Sequence, residues 1–294
     1  MRRFIKRKMD EIFNDFISEI SLLGQFCDLK DISYETGNIP DYSNRLIQQL
    51  YLLRYLPAYL TEYYLIYRNV IDFNFINHYN VLSIGSGANL DFYGLYFALD
   101  DNGDNIDLAY TGLDLIDWSY KENLGVDDCV FLNQNINEWE SLDEGRYNAI
   151  IFPKSIGEFD NQAFEHLLDV FLNTTFHQDR LIIISSMRQL SRETDAQRFG
   201  SIINLFTDHL NYRNLDDIQY YYGLNEIGGF GLRNYCPHFY YPDDVKNFIS
   251  NLLSQCPTFQ NEGESCEFNC SQALNRNPIL TGRYLEYQIN RLER

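Results

Sequence analysis

The chain has 294 residues, a formal net charge of −19 and 45% hydrophobic residues. This length fits one large domain or a core with an extension, and the hydrophobic fraction predicts a sizeable buried core rather than disorder. The acidic charge disfavours broad electrostatic binding of naked nucleic acid, although it does not exclude a local basic patch. The sequence contains no run of about 18 uncharged apolar residues, so we expect no membrane-spanning helix.

The basic start of the chain, MRRFIKRKMDEIF, is interrupted by Asp10 and Glu11 before any apolar run, so we expect no secretory signal there. Six cysteines are therefore expected to be reduced thiols of a cytoplasmic protein. Several residues of the C-terminal part have side chains that zinc binds, but their irregular spacing, without a Cys-x2-Cys pair, favours ordinary thiols and no metal. These residues are Cys236, His238, Cys256, Cys266 and Cys270.

Residues 1–75 are predicted to form a helical N-terminal extension that acts as a lid. A second helix is expected to begin near Ser43 and to end or kink at Pro57, with a third helix from Ala58 to Tyr67. The tyrosines of this region suggest either a pocket lining or, more commonly for such a stripe, core packing. They are Tyr55, Tyr59, Tyr63, Tyr64 and Tyr67.

Residues 76–225 alternate between apolar runs and amphipathic segments. The predicted strands cover residues 81–84, 108–114, 129–132, 147–152 and 181–184. Repeated strand–helix units of this kind predict a Rossmann-like α/β fold with a doubly wound, mostly parallel sheet. Residues 226–294 are expected to complete this core with strands and helices, including a closing helix from Tyr284 to Leu292.

The first predicted strand leads into a Gly-x-Gly turn formed by Gly85, Ser86 and Gly87. Glycine lets the backbone approach a ligand closely, and the following helix start offers unpaired N–H groups. The second strand ends in Asp114, whose carboxylate is placed to accept hydrogen bonds from ribose hydroxyls. The third strand leads into an amide-rich segment in which Asn135 and Ile136 are placed to border an adenine ring.

The glycine pattern narrows the class of nucleoside ligand. A dinucleotide fingerprint requires a third glycine, and Leu90 stands at that position, which disfavours NAD or FAD. A phosphate-binding Walker loop requires Gly-Lys-Ser or Gly-Lys-Thr, which this turn lacks.

Over residues 78–190 these features resemble the class I S-adenosylmethionine-dependent methyltransferases. The resemblance implies S-adenosylmethionine as cofactor, and it implies roles for the residues that match the family pattern. The Gly-x-Gly turn would hold the methionine part, Asp114 the ribose, and Asn135 and Ile136 the adenine. The loop after the fourth strand, which begins with Phe152, would meet both cofactor and substrate.

The catalytic residues are not identified by any motif. The sequence Phe152-Pro-Lys-Ser155 lacks the Asp/Asn-Pro-Pro-aromatic pattern of enzymes that methylate amino groups of nucleic acids. Lys154 and Glu158 are the candidates for contacting a substrate or adjusting its protonation. The segment from Ser155 to Glu158 also fits a helix capping box, so both roles are open for Glu158.

The sequence therefore predicts a methyltransferase whose acceptor is a small molecule or a protein in preference to naked nucleic acid. An alternative is a catalytically inactive, methyltransferase-like interaction module in a complex. It is suggested by Ser83, because the family usually has an acidic residue two positions before the first glycine. The methyl acceptor and the formation of a homo-oligomer are left open by the sequence.

Overall fold

The computed structural model describes residues 1–23, 26, 29, 40–103, 107–143, 145–188, 191–216, 222–223, 240–263, 274, 277–280 and 286–294. The chain divides into two compact units. The first comprises Met1–Tyr59, Trp118–Tyr120 and His238–Thr281, and the second comprises Leu60–Asp117, Lys121–Pro237 and Gly282–Arg294. The predicted partition into residues 1–75, 76–225 and 226–294 stays a prediction.

Helices and strands alternate along most of the described residues. The helices are α1 (Arg2–Leu23), α2 (Arg45–Asp72), α3 (Leu90–Asn102), α4 (Asn161–Leu172), α5 (Arg192–Asp208), α6 (Asp243–Ser250) and α7 (Pro257–Glu262). The strands are β1 (Tyr79–Ile84), β2 (Leu108–Asp114), β3 (Cys129–Asn133), β4 (Ala149–Pro153), β5 (Arg180–Ser186), β6 (Arg213–Asn214), β7 (Tyr222–Gly223) and β8 (Glu286–Glu293). Among the described residues, the structure has no helix with the length and apolar character of a membrane span.

The second unit is built on one sheet with the strand order β3-β2-β1-β4-β5-β8-β6, and β7 also pairs with β8. The first five strands are parallel, whereas β8 is antiparallel to β5. This order confirms the predicted Rossmann-like, mostly parallel sheet, and the five strands predicted from apolar runs are all present.

One face of this sheet carries the main apolar core. Alternate residues of β4 and β5, such as Ile150, Phe152 and Ile183, belong to a buried cluster that includes Phe164 of α4 and Phe199 of α5. Side chains of a strand alternate between faces, so each strand contributes every second residue to this layer. This packing fixes the carboxyl ends of β4 and β5, from which Lys154 and Ser186 project.

The predicted closing helix at the C-terminus is wrong, because residues 286–293 form β8. This strand pairs with β5 from Tyr287 opposite Ser186 to Glu293 opposite Arg180. Its Gln, Glu, Arg and Leu residues favour a helix locally, but pairing with a buried neighbour strand outweighs such weak local preferences.

In the first unit, α1 buries the apolar face that its spacing predicts. Met9, Ile12 and Phe16 are fully buried. The Phe13 and Phe16 rings pack against the ring of Phe248 in α6, at centroid distances of 5.2 and 6.3 Å.

Helix α2 does not end at Pro57, as the sequence analysis allowed, but continues through it to Asp72. Proline has no N–H, so the carbonyl of Leu53 loses its helical hydrogen bond. The Tyr241 hydroxyl donates a hydrogen bond to this carbonyl, and the neighbouring Arg54 carbonyl accepts one from the Ile279 N–H at 3.2 Å. The carbonyls exposed by the proline are thus satisfied from the C-terminal part of the same unit.

We expect the Tyr241→Phe substitution to lower the free energy of unfolding by about 1–3 kcal/mol, because it leaves the buried Leu53 carbonyl without a donor. A double-mutant cycle with Pro57→Ala, followed by urea unfolding, checks the cause. The alanine would restore the N–H that bonds to the Leu53 carbonyl, so Tyr241→Phe should cost much less in that background. Equal costs in both backgrounds would contradict this account of the proline.

Candidate functional site

The predicted site residues lie at the carboxyl ends of β1, β2, β3 and β4. The order of the strands reverses between β1 and β4, because β2 follows on one side and β5 on the other. Open α/β sheets bind ligands in the crevice at such a switch point.

The turn after β1 requires glycine at two positions. Gly85 and Gly87 have φ values of 72° and 55°, a region that side chains other than glycine rarely adopt. A Cβ placed on Gly85 would also lie 2.4 Å from the Cβ of Ser155. The N–H groups of Gly85 and Ser86 donate to the Leu113 carbonyl at 2.8 and 3.0 Å, which ties the turn to the end of β2.

Asp114 is held directly against this turn. One carboxylate oxygen accepts the Gly87 N–H at 2.7 Å, and the other accepts the Ile116 N–H at 2.8 Å. These two hydrogen bonds orient the Asp114 carboxylate relative to the turn. The structure therefore brings Asp114 and the Gly85–Gly87 turn together, as their positions in the sequence predict.

The segment after β3 is attached to the same point. The Gln134 N–H donates to the Asp114 carbonyl at 3.0 Å. The Asn135 side chain accepts the Asn137 N–H at 3.0 Å and so caps a short 3-10 helix, whereas Ile136 is buried in the core. The backbone of this segment lies beside Asp114, but the Ile136 side chain does not stand open at the surface.

One apolar residue of this region was missed by the sequence analysis. Leu115 directly follows Asp114, and its side chain is 65% exposed. An isolated exposed leucine is ordinary on a protein surface, but here it lies next to the carboxylate of the site. The signal available in the sequence was the apolar residue immediately after the strand-ending acid.

Two residues at the end of β4, Phe152 and Lys154, were predicted to belong to the site. The Phe152 side chain is fully buried in the core, so only its backbone reaches the edge of the sheet. Lys154 has a φ of 61°, and its N–H donates to the carbonyls of Phe152 and Ser186 at 3.0 and 3.1 Å. These contacts fix the chain where it leaves the sheet.

Lys154 makes a buried ion pair with Glu62 of α2, a residue that the sequence analysis missed. The distance between Nζ of Lys154 and Oε1 of Glu62 is 2.7 Å, and Nζ also donates to the Met187 carbonyl at 3.0 Å. The Ser186 hydroxyl donates to the same Glu62 oxygen. Burial raises the pKa of the Glu62 carboxyl above its usual range, while Lys154 opposes the rise. The only sequence signal was an acid within the apolar and aromatic stretch of α2.

The capping-box interpretation of residues 155–158 is wrong. Helix α4 begins at Asn161, and Asp160 caps it by accepting the Ala163 N–H at 2.8 Å. The Ser155 hydroxyl instead donates to the Ile84 carbonyl. Ser155 is therefore used to join the loop after β4 to β1.

Glu158 lies in the same loop, with its side chain 39% exposed, and pairs with Arg188 at 3.3 Å. Partial burial raises the pKa of its carboxyl to about 6; Asp114 adds to the rise and Arg188 opposes it. Glu158 thus stays a candidate for contact with a substrate.

No group of three or more His, Cys, Asp or Glu side chains within the described ranges is arranged to hold a metal. Of the residues considered for zinc, only Cys256 is described, and it is buried. Cys236, His238, Cys266 and Cys270 lie outside the described residues, so the preference for ordinary thiols stays a prediction.

Neither a protein-family model nor a curated protein matches the chain. Several solved structures show a distant likeness to it. The chain itself has a Rossmann-like fold, as the order of its strands shows.

Three of these solved structures show the range of the likeness. The plantazolicin methyltransferase BpumL, in complex with S-adenosylhomocysteine, is 14% identical, with a TM-score of 0.42 and 99% of both chains covered. The glycopeptide N-methyltransferase MtfA, also complexed with S-adenosylhomocysteine, is 17% identical, with a TM-score of 0.31 over 43% of this chain and 53% of its own. A SAM-dependent methyltransferase from Aquifex aeolicus is 14% identical, with a TM-score of 0.33 over 51% of this chain and 81% of its own.

Proposed function

We propose that the chain is an S-adenosylmethionine-dependent methyltransferase. The observation that carries the proposal is the direct hydrogen bond between the Gly87 N–H and the Asp114 carboxylate, which joins the Gly-x-Gly turn to an oriented acid at the switch point. In this proposal the Gly85–Gly87 turn holds the methionine part and Asp114 the ribose. The Asn135–Ile136 backbone and the exposed Leu115 border the adenine.

The helix start that follows the turn disfavours a phosphate-containing cofactor. Asp91 lies in the first turn of α3 and is fully buried, and the nearby backbone N–H groups of Asp91 and Phe92 act to lower the pKa of its carboxyl. Helix-start N–H groups are the ones that hold phosphates. A buried carboxylate already lies in this first turn, so an uncharged adenosyl group with a zwitterionic amino-acid tail fits better than a dinucleotide.

The bound cofactor would supply an electrophilic methyl group on a sulfonium, so the protein's own contribution is to orient the reactants and to exclude water. Asp114 would fix the ribose, and the rigid turn after β1 would set the position of the methionine part. Lys154 and Glu158, at the end of β4, are the proposed contacts to the acceptor. The net charge of −19 supports a small-molecule or protein acceptor over naked nucleic acid.

Calorimetric titration with S-adenosylmethionine and S-adenosylhomocysteine tests the cofactor assignment. We expect Asp114→Asn to weaken binding by about 10- to 100-fold, the usual effect of losing hydrogen bonds to a charged group. Asp117→Asn is the matched control, because Asp117 belongs to the same loop, is 79% exposed and pairs with Lys121 at 2.9 Å. Equal affinities of the two variants would contradict the assignment of Asp114. A folded wild-type protein that binds neither ligand would favour the inactive interaction module.

A further inference from the structure

Glu158, in the loop after β4, has a carboxylate that is accessible from the switch point of the sheet. Its side chain is 39% exposed, and Oε1 accepts a hydrogen bond from Nη1 of Arg188 at 3.3 Å. The Asp114 carboxylate is close enough to act electrostatically on Glu158. Two carboxylates, one at the end of β2 and one after β4, therefore act together on this part of the sheet edge.

The turn after β1 lies between the segments that carry these two carboxylates. On one side, the Gly87 N–H donates to Asp114 at 2.7 Å. On the other side, Ser155 is so close that a Cβ on Gly85 would overlap its side chain, and Glu158 follows three residues later. Strand β1 is itself flanked by β2 and β4 in the sheet, which fixes this arrangement.

The chemistry of the proposed cofactor puts its positive charge in the same place. In S-adenosylmethionine the sulfonium joins the ribose to the methionine chain. With the ribose at Asp114 and the methionine part at the turn after β1, the sulfonium would lie next to both, within the electrostatic reach of Glu158. Methyl transfer removes this charge, because the sulfur of S-adenosylhomocysteine is neutral.

Glu158 is held by an ion pair that is anchored in the protein interior. Asp195 is fully buried; its Oδ1 accepts from Nη2 of Arg188 at 3.1 Å, and its Oδ2 accepts the Arg188 N–H at 2.9 Å. The loop after β4 packs directly on this pair, because a Cβ on Gly157 would overlap both the Asp195 carboxylate and the Arg188 guanidinium. A planar guanidinium fixed at one carboxylate restricts the position of the second one. The Asp195–Arg188 pair therefore orients the Glu158 carboxylate.

We propose that Glu158 is a specificity-determining residue that favours the charged sulfonium of S-adenosylmethionine over the neutral sulfur of S-adenosylhomocysteine, and that Arg188 and Asp195 are its positioning residues. This inference rests on the proposed methyltransferase function. The ionised carboxylate attracts the sulfonium before methyl transfer and has no such attraction for the product, which favours exchange of the product for new cofactor. The expected effect is about threefold in relative affinity, because water and salt screen a partly exposed charge.

The protonation state of Glu158 makes this role measurable. Partial burial raises the pKa of its carboxyl to about 6; Asp114 and Asp195 add to the rise and Arg188 opposes it. Glu158 is therefore ionised above this pH and neutral below it, so the preference for the sulfonium should be lost as the pH falls through this range. Asp91 titrates in the same range, but its contribution cancels when wild-type protein is compared with Glu158→Gln, because both contain it.

Calorimetric titration with S-adenosylmethionine and S-adenosylhomocysteine, at about pH 7.5 and about pH 5, tests the proposal without knowledge of the acceptor. At the higher pH we expect Glu158→Gln to lower the affinity for S-adenosylmethionine relative to S-adenosylhomocysteine by about threefold. At the lower pH the variant and wild-type protein should show the same relative affinity. The affinity for S-adenosylhomocysteine, which also reports a folded site, should stay unchanged. Glu165→Gln, at an exposed position of α4, is the matched control and should behave as wild-type protein at both pH values.

Arg188→Met separates an action on Glu158 from a purely structural role of the arginine. Removing the guanidinium raises the pKa of the Glu158 carboxyl further, so the pH at which the preference is lost should move upward. Because this variant leaves Asp195 buried without its partner, Arg188→Met/Asp195→Asn, which removes both charges, is measured as well. It should move this pH in the same direction by a smaller amount, since the Asp195 charge itself raises the pKa of Glu158. An unchanged pH in both variants would overturn the positioning role of Arg188.

The outcomes for Glu158→Gln separate this inference from the proposed function. A relative affinity equal to that of wild-type protein at the higher pH would overturn the role of Glu158 alone. A difference that persists undiminished at the lower pH would overturn it as well, because the neutral carboxyl cannot attract the sulfonium. Folded wild-type protein that binds neither ligand would overturn the proposed function together with this inference.

Discussion

Replacing Gly85 by alanine is expected to abolish cofactor binding and to lower the free energy of unfolding by about 2–5 kcal/mol. The φ of 72° alone penalises any other residue. In addition, the new Cβ would lie 2.4 Å from the Cβ of Ser155, and the Ser155 hydroxyl is itself bonded to the Ile84 carbonyl, so neither partner moves freely. Relief requires the turn after β1 to shift, which moves the Gly87 N–H that holds the Asp114 carboxylate.

Gly103→Ala is the matched control, because Gly103 has the same φ of 72° with no atom within 4 Å of an added Cβ. It should cost only the backbone strain, about 1–2 kcal/mol, and leave cofactor affinity unchanged. Urea unfolding and calorimetric titration measure both quantities. If the two variants lose equal stability and bind the cofactor equally well, the close contact with Ser155 is not what makes Gly85 necessary.

The parts of the site that follow directly from strand ends were predictable from the sequence. Gly85, Gly87 and Asp114 come immediately after apolar runs, and the carboxyl ends of neighbouring parallel strands meet at one edge of a sheet. The local sequence was therefore sufficient to predict that these residues lie close together. The structure shows these residues in contact, whereas their binding roles stay predictions.

Features that depend on distant residues were not predictable. Glu62 meets Ser186 across 124 positions of the sequence, and β8 exists because β5 is available to pair with it. The turn before α4 resembled a capping box, but Arg198 donates to the carbonyls of Ile156 and Phe159 at 3.0 and 2.7 Å and stabilises a different turn. In each case a non-local partner outweighs the local pattern.

The structure changes how Ser83, at the position where the family usually has an acid, is interpreted. A buried carboxylate near position 83 comes from Asp91 of α3, and the Ser83 hydroxyl lies close to it. The Tyr110 hydroxyl donates to both Asp91 oxygens at 3.0 Å. Ser83 was the main support for an inactive module, and this arrangement weakens that support because a buried acid lies beside Ser83.

Burial raises the pKa of the Asp91 carboxyl from 3.8 to about 6, and this shift predicts how stability depends on pH. Between these two values the folded state holds the proton that the unfolded chain has already released. The folded state therefore binds more protons, and the free energy of unfolding falls as the pH rises through this window. The total loss attributable to Asp91 is about 3 kcal/mol, because each unit of pKa shift corresponds to about 1.4 kcal/mol.

The Asp91→Asn variant has no ionisable group at this position and should lack that loss. We expect the stability of wild-type protein, relative to the variant, to decrease by about 3 kcal/mol from below pH 4 to above pH 6, and to stay constant at higher pH. Urea unfolding of both proteins at several pH values measures this difference, with Asp100→Asn, at an exposed position of the same helix, as the matched control. The decrease should be absent when Asp100 is compared in the same way, because the ionised form of an exposed carboxyl is hydrated in the folded state, whereas the ionised form of buried Asp91 is not. A difference that is independent of pH, or that is as large for Asp100→Asn, would contradict the argument.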